Sequence, residues 1–585
     1  MNCVFNDLIV PRFFNNGVQS IADDSPDDPV LVSPRPDPEN RSLSLSIACA
    51  LAVSLLFSSL LFYWYSLDNR QPSMDEAGHI LCAFKYTELF SHPHVLKLWW
   101  YQKLLTVNNF YPPAVYAFNG LLKLGFGPAH FVDCLSLSIY DFVLTASVFA
   151  TTLLLTGRRL AAVVSATVVN LYSELIFLSH TYLLDFQVAA MISLGVLSLV
   201  WWSKKPDWKR TAICSIALAL VLATKQVAGA FLAGPGIYYF LSVVIRKPQG
   251  WKLQAVQLVS MAVIAALLMV PWAVASYGFI SEFAETNKKV ITSTAGAITV
   301  PQALQRGIRY YSFSLPQMMT PLLLSIAAVA FCSLGKALHL RLLPVLMTAG
   351  GVIMISLLPW QYPHHRYIAG ALIVPAIYTG AFFVRLWDCK FKPFAPAPKM
   401  LACSILLLGV LQYFSLCFFP YPFANPSFMV HLSNVLHART SSMGTDEKGK
   451  ANPVPFQDWG HKWVLEIIGK RDPNLPVWLN VMANHVEYNP HTFTLQGKEM
   501  GSAVRPTSSR TWTVLGDTVT YSPESALYYQ WYLLKSGYAG LRLLNPESEK
   551  ANADILKFVK ESGKFELIAV KKVPDGSEIM LYRQK

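Results

Sequence analysis

The chain is 585 residues long, 53% apolar and only 14% charged, against roughly 25% charged in an ordinary soluble protein. That deficit excludes intrinsic disorder and sets aside an ordinary soluble enzyme. The formal charge of +13 is not a nucleic-acid signature, because Lys and Arg sit in short clusters between apolar runs, as membrane topology signals do; the expected partner is a lipid bilayer.

Residues 1–42 hold Asp23, Asp24, Asp27, Asp28 and several prolines, lack the basic-then-apolar order of a cleavable signal, and read as a disordered cytoplasmic tail. The first span is 43–65, closed by Asp68, Asn69 and Arg70. It is expected to be a signal anchor, since roughly 20 apolar residues cross a hydrocarbon layer of about 30 Å. The segment 66–129 is too long for a simple connection and too apolar to float free, with helix-like runs at Asp75–Phe90 and Leu96–Leu104 and another after Tyr111-Pro112-Pro113. Such amphipathic pieces suit the membrane surface. Further spans are expected at 130–156, 160–179, 183–202, 211–224, 227–245, 254–278, 317–335, 342–358, 367–384 and 400–420, about 11 in all across 43–420.

The loops carrying Arg158 and Arg159, Lys204 to Arg210, Arg246 to Lys252, Lys336 and Arg341, and Arg385 to Lys399 are strongly basic and alternate with loops nearly free of Lys and Arg. Basic loops face the cytoplasm. The expectation is a multi-pass cell-membrane protein with a cytoplasmic amino terminus and an extracytoplasmic carboxyl-terminal segment. Residues 438–455 read as a linker and 456–585 as a small extracytoplasmic α/β domain. In it, Trp459, Trp463 and Ile467 keep helical spacing, Leu475–Met482 reads as a strand, the run from Glu524, ESALYYQWYLL, reads as a helix, and Phe565–Arg583 as a hairpin about Pro-Asp-Gly. The fold class is therefore a polytopic α-helical membrane protein with a small α/β domain. No internal repeat is evident.

Nine cysteines, none after Cys417, form no CxxC pair, so neither a disulfide framework nor a cysteine metal site is expected. No phosphate-cradling glycine loop, Ser-His-Asp order or metalloprotease motif occurs. No cofactor is required by the sequence, and metal dependence stays open.

Candidate chemistry lies on the loops poor in Lys and Arg. Asp75 and Glu76 begin the first surface run; a carboxylate at the membrane edge can take a proton from a hydroxyl, while acidic residues also simply favour a helix start. Glu174, His180 and Asp185 share the next such loop, and Asp185 sits inside YLLDFQVAAM, where a charge is costly and is either functional or bonded to a neighbouring helix. Lys225 interrupts a long apolar stretch at a hairpin turn and can meet a phosphate or snorkel to the interface. The loop Trp360 to Tyr367 concentrates donors, among which Arg366 can grip a phosphate bidentately or act as an interfacial anchor. His364 and His365 are adjacent without a third ligand, which is weak support for a metal. The loop Phe279–Leu315 is polar and mixed, suited to ordering over substrate or to plain solvation.

The order of these elements is what becomes specific: a first span, Met74-Asp75-Glu76-Ala77, Tyr111-Pro112-Pro113, Arg158-Arg159, Leu184-Asp185, Thr224-Lys225, His365-Arg366-Tyr367, then a late outer domain. In that order the chain resembles the polyprenyl-phosphate-sugar-dependent glycosyltransferases, which include the dolichyl-phosphate-mannose protein mannosyltransferases and the aminoarabinose transferases acting on lipid A. The resemblance implies a GT-C membrane fold and transfer of a sugar from a polyprenyl-phosphate donor to an acceptor hydroxyl on the outer face, by a single inverting displacement. It implies Asp75 as catalytic base with Glu76 next to the acceptor, Asp185 as a second carboxylate near the site, and Lys225 and Arg366, with His365 alongside, at the donor phosphate. Some members carry Lys before the Pro-Pro pair where this chain has Tyr111, which argues against aminoarabinose as the sugar. The rival reading is a transporter or flippase for a lipid or small solute, with Asp185 and Lys225 as substrate or proton sites. Against it stand the absence of related halves and the long surface segment 66–129.

Overall fold

The computed structural model describes residues 43–108, 110–295, 299–333, 351, 364–388, 397–418, 453, 455–471, 476–483, 485, 487–508, 522–540 and 546–585. The expected tail 1–42, all of the expected span 342–358 but Gly351, and all but two residues of the expected linker lie outside these.

The chain opens with α1 (Leu43–Leu67), followed by three short helices, α2 (Met74–Ser91), α3 (Leu98–Thr106) and α4 (Ala114–Phe126). The membrane part continues with α5 (His130–Thr156), α6 (Arg159–Asn170), α7 (Ser173–Ser179), α8 (Leu184–Lys204), α9 (Trp208–Thr224), α10 (Ala228–Arg246), α11 (Trp251–Ala295), α12 (Val300–Met319) and α13 (Pro321–Ser333). A 3₁₀ turn (His365–Leu372), α14 (Ile373–Asp388) and α15 (Ala397–Cys417) complete it. Among the described residues seven helices are long and apolar enough to cross a bilayer, or nine when two bent pairs, α6 with α7 and α12 with α13, each count as one. Helix α9, at 17 residues, is slightly shorter than these.

Helix α8 is the axis of the bundle, buried along most of its length and packed on α5, α9, α10 and the 3₁₀ turn. The expected span 160–179 is two helices bent by 65°, so that the buried α7 delivers Glu174 toward the start of α8. Two further expectations need correction. Among its described residues the loop expected at Phe279–Leu315 is helical on both sides of Thr299: α11 runs on to Ala295 and α12 begins at Val300, so the span expected at 317–335 starts instead at Pro321, after a bend of 112°. Hydropathy ends the apolar window near residue 278, but SEFAETNKK holds good helix formers and no Gly or Pro before Gly296, so the backbone continues regardless of polarity. At 45 residues, α11 is about 67 Å long, well beyond the hydrocarbon thickness. Its far end reaches the surface segment, where Phe283 packs on Phe110 with ring centroids 4.2 Å apart.

The carboxyl-terminal domain contains α16 (His461–Arg471), β1 (Trp478–Val481), α17 (Pro490–Met500), β2 (Arg505–Thr507), a 3₁₀ turn (Pro523–Tyr528), β3 (Trp531–Lys535), α18 (Pro546–Glu561), β4 (Phe565–Lys572) and β5 (Glu578–Gln584). The sheet runs β2-β1-β3-β5-β4. Strand β1 is parallel to β2 and β3, while β5 is antiparallel to β3 and β4, the last pair being the expected hairpin. The helix expected from Glu524 is a 3₁₀ turn and a strand. Central strand β3 is buried on both faces: Trp531 and Leu533 pack with Val464, Leu479 and Ile579, whereas Tyr532 and Leu534 pack with Ile555 and Val559. A doubly buried strand shows an unbroken apolar run rather than alternation, and periodicity alone cannot separate it from a buried helix.

Helix direction sorts the charges. The amino ends of α2, α8 and α10 and the 3₁₀ turn gather at one end of the bundle, as shown by Arg366 and Lys225 meeting Asp185. At the opposite end, Arg158 lies 3.0 Å from Asp388, beyond α5 and α14.

Candidate active site

Helix α2 is built to be fixed at its start. Its Glu76 reaches back so that Oε2 accepts the Ser73 amide at 2.8 Å, while Oε1 accepts the Tyr182 amide at 2.8 Å. The second bond ties α2 to the loop before α8. Further along, α4 packs closely on α2: a Cβ at Gly120 would lie 2.6 Å from Tyr86 Cβ, and Thr87 Oγ1 donates to the Gly120 carbonyl at 3.2 Å. At the other wall, Gly370 of the 3₁₀ turn lies against Ile192 of α8, where an added Cβ would stand 2.5 Å from Cδ1, and the same turn holds Arg366 over Asp185.

These elements enclose a cavity of about 320 Å³ whose lining includes Asp75, Tyr111, Asp185, Lys225, Arg366 and His491. Five residues singled out from sequence thus line one cavity, although they come from five separate places in the chain. Lys225 Nζ donates to Asp185 Oδ1 at 2.6 Å, and Arg366 Nε stands 3.7 Å from Asp185 Oδ2. Both cations also face aromatic rings: Lys225 lies 5.5 Å from the Tyr111 ring and 5.4 Å from the Tyr367 ring, and Arg366 lies 5.5 Å from the Tyr367 ring. An ammonium has three donors and a guanidinium five, so each keeps donors for an incoming anion. Asp75 differs from Asp185: its exposed carboxylate makes no hydrogen bond or ion pair among the described residues.

The site also holds residues that the sequence reading passed over. His79 lies one turn beyond Asp75, its Nδ1 2.8 Å from Tyr116 Oη. Burial pushes its pKa down to about 4 against the pull of Asp75, so the ring is neutral at neutral pH. Asn108 Oδ1 accepts the amides of Phe110 and Tyr111, each at 3.0 Å, which shapes the turn before Pro112 and presents the Tyr111 ring. Burial raises the Tyr111 hydroxyl pKa above its ordinary value. His79 could have been found from its i+4 spacing to Asp75; His491 left no signal, because it comes from the carboxyl-terminal domain.

Other expected residues lie elsewhere. Glu76 is buried and spent on two backbone amides, away from the central cavity. His180 stacks on Trp64, ring centroids 3.7 Å apart. Buried Glu174 has Oε2 3.9 Å from His365 Nδ1, and His365 faces a separate groove along α12 with Arg306, Arg309 and Tyr310. The 3₁₀ turn therefore divides its residues, sending Arg366 to the cavity and His365 to the groove. His364 Nδ1 accepts the Arg366 amide at 3.4 Å, its pKa pushed down to about 3 by burial and the nearby guanidinium.

Fold and site together define a polytopic helical membrane protein whose cavity, capped by a mixed-sheet domain, sets two cations against a carboxylate that has no hydrogen bond or ion pair among the described residues. Residues 125–287 match the family dolichyl-phosphate-mannose-protein mannosyltransferase, in line with the resemblance carried by the short motifs. No curated protein matches the chain. Among solved structures, ArnT from Cupriavidus metallidurans in the apo state is 13% identical with a TM-score of 0.48, over 92% of this chain and 97% of that one. The same protein bound to undecaprenyl phosphate gives the same identity and score, over 92% and 98% of the two chains.

Proposed function

We propose that this chain transfers a sugar from a polyprenyl-phosphate donor to an acceptor hydroxyl, with Asp75 as general base and Lys225 and Arg366 receiving the departing phosphate. The observation that carries this reading is the contrast between the two carboxylates of one cavity: Asp185 is committed to the cations, and Asp75 makes no hydrogen bond or ion pair among the described residues. The family matched by residues 125–287 is described by a lipid-phosphate-linked mannose, which supports that donor class without fixing the sugar.

The step follows from the charges. Asp75 takes the proton of the acceptor hydroxyl as the oxygen attacks the anomeric carbon. The bond from that carbon to the phosphate oxygen breaks on the opposite side, and polyprenyl phosphate leaves with the electron pair. The configuration inverts. The leaving phosphate needs no proton, only compensation for its charge, which Lys225 and Arg366 supply once they share Asp185 with it. The cavity faces outward on this reading, since Arg158 and the basic loops lie at the opposite end of the bundle and basic ends stay in the cytoplasm.

The test is turnover of Asp75→Asn in lipid with a labelled polyprenyl-phosphate sugar. Transfer should fall by about 10²- to 10⁴-fold with the protein still folded. Undiminished transfer would remove Asp75 from this role, and label that crosses vesicles with its sugar-phosphate bond intact would favour a transporter.

A further inference from the structure

The cavity is not completed by the membrane helices alone. His491, the second residue of α17 in the carboxyl-terminal domain, stands in its lining with Asp75. The position is well fixed. Pro490 occupies the first turn of α17, and Asn489 Oδ1 accepts the amides of His491 at 2.9 Å and Thr492 at 3.2 Å. Helix α17 packs along α2, and two turns beyond His491 its Lys498 forms an ion pair with Glu88 of α2. The two helices thus share a seam that begins at the candidate base. Along α2 the face carrying Asp75, His79 and Cys82 continues as Lys85, Glu88 and Leu89, which line a second groove with Trp99 and Lys103. Spacings of 3, 4 and 7 residues keep one face of a helix, so cavity and groove lie along a single track, with Lys85 about 15 Å beyond Asp75.

Resting on the transferase reading above, we infer that His491 contacts the acceptor, and that the seam between α2 and α17 is the path by which the acceptor hydroxyl reaches Asp75. The donor side of the cavity is occupied by Lys225 and Arg366 on Asp185; His491 stands with the carboxylate that must meet the acceptor. Its imidazole makes no side-chain hydrogen bond among the described residues, which leaves both ring nitrogens for a polyhydroxyl ligand. The ring is exposed at the cavity mouth, yet partial desolvation there lowers its pKa, with Lys85 acting in the same direction and Asp75 against it; in its neutral form it can both donate to and accept from hydroxyl groups.

The test uses the full chain in lipid nanodiscs with labelled mannosyl-phosphoryl-undecaprenol as donor and a titrated membrane extract of the expressing cells as acceptor. His491→Ala should raise half-saturation by extract about tenfold, the scale of one or two lost hydrogen bonds. It should also shift label from extract to water, leaving half-saturation by donor within about twofold. His491→Gln, which keeps a donor and an acceptor at a similar reach, should restore most of the coupling, and its intact thermal unfolding serves as the control for folding. Wild-type transfer with unchanged extract dependence and partition in His491→Ala overturns this inference alone. Failure of the wild type to release lipid phosphate from any member of a panel of polyprenyl-phosphate sugars overturns the transferase reading, and this inference with it.

Discussion

Asp75 and Glu76 are neighbours in sequence and opposite in role, because consecutive residues of a helix point about 100° apart. One faces the cavity while the other is buried on the amides of Ser73 and Tyr182. Glu76→Gln should therefore act on stability, at about 1–3 kcal/mol for a buried charged acceptor weakened, read as a lower thermal midpoint in lipid with turnover per folded molecule retained. Asp185→Ala leaves Lys225 and Arg366 without their buried counter-charge, a loss on the order of 3–5 kcal/mol that should appear as poor yield of folded protein. Arg366→Ala, milder because Lys225 still holds Asp185, should raise half-saturation by donor more than by acceptor; an unchanged donor dependence would argue against phosphate contact. These charges were legible in the sequence because an ionisable group amid apolar residues is conspicuous and expensive. Their pairing was not, since Asp185, Lys225 and Arg366 lie far apart in the chain and only the packing of α8, α9 and the 3₁₀ turn sets the distances.

At the scale of elements, what was legible followed length and hydropathy, and what was missed lay where polarity and secondary structure part company. Span positions α5, α8, α10 and α15 stand within a few residues of expectation. The end of α11 was missed because its outer turns are polar yet strongly helical, and β3 because a strand buried on both faces loses its alternation. The close approach of α4 to α2 depends on one missing side chain. Gly120→Leu should push the helices apart against the backbone of Ala83 and Thr87, 3.0 and 3.1 Å from the added Cβ. The cost is about 1–3 kcal/mol of overpacking, and turnover should fall because α2 carries Asp75.

For the whole molecule, the carboxyl-terminal domain has its own pH dependence. His461 is buried with Nε2 3.1 Å from Thr492 Oγ1, and burial pushes its pKa down to about 4. Between about pH 6.5 and pH 4 the unfolded chain binds a proton that the folded domain refuses, so stability is complete above that window and declines through it as the pH falls, by about 3 kcal/mol at most. Tryptophan fluorescence of thermal unfolding should show this slope in the wild type and a flatter one in His461→Gln. The seat of that domain on α2 responds to a different variable. Lys498 and Glu88 are about half exposed, whereas Lys225 and Asp185 are enclosed, so added electrolyte, which screens open charges far more than enclosed ones, reaches only the first pair. Raising ionic strength should loosen the domain and let water compete for the sugar before it disturbs the grip on the departing phosphate, so that a single salt titration separates discrimination from chemistry.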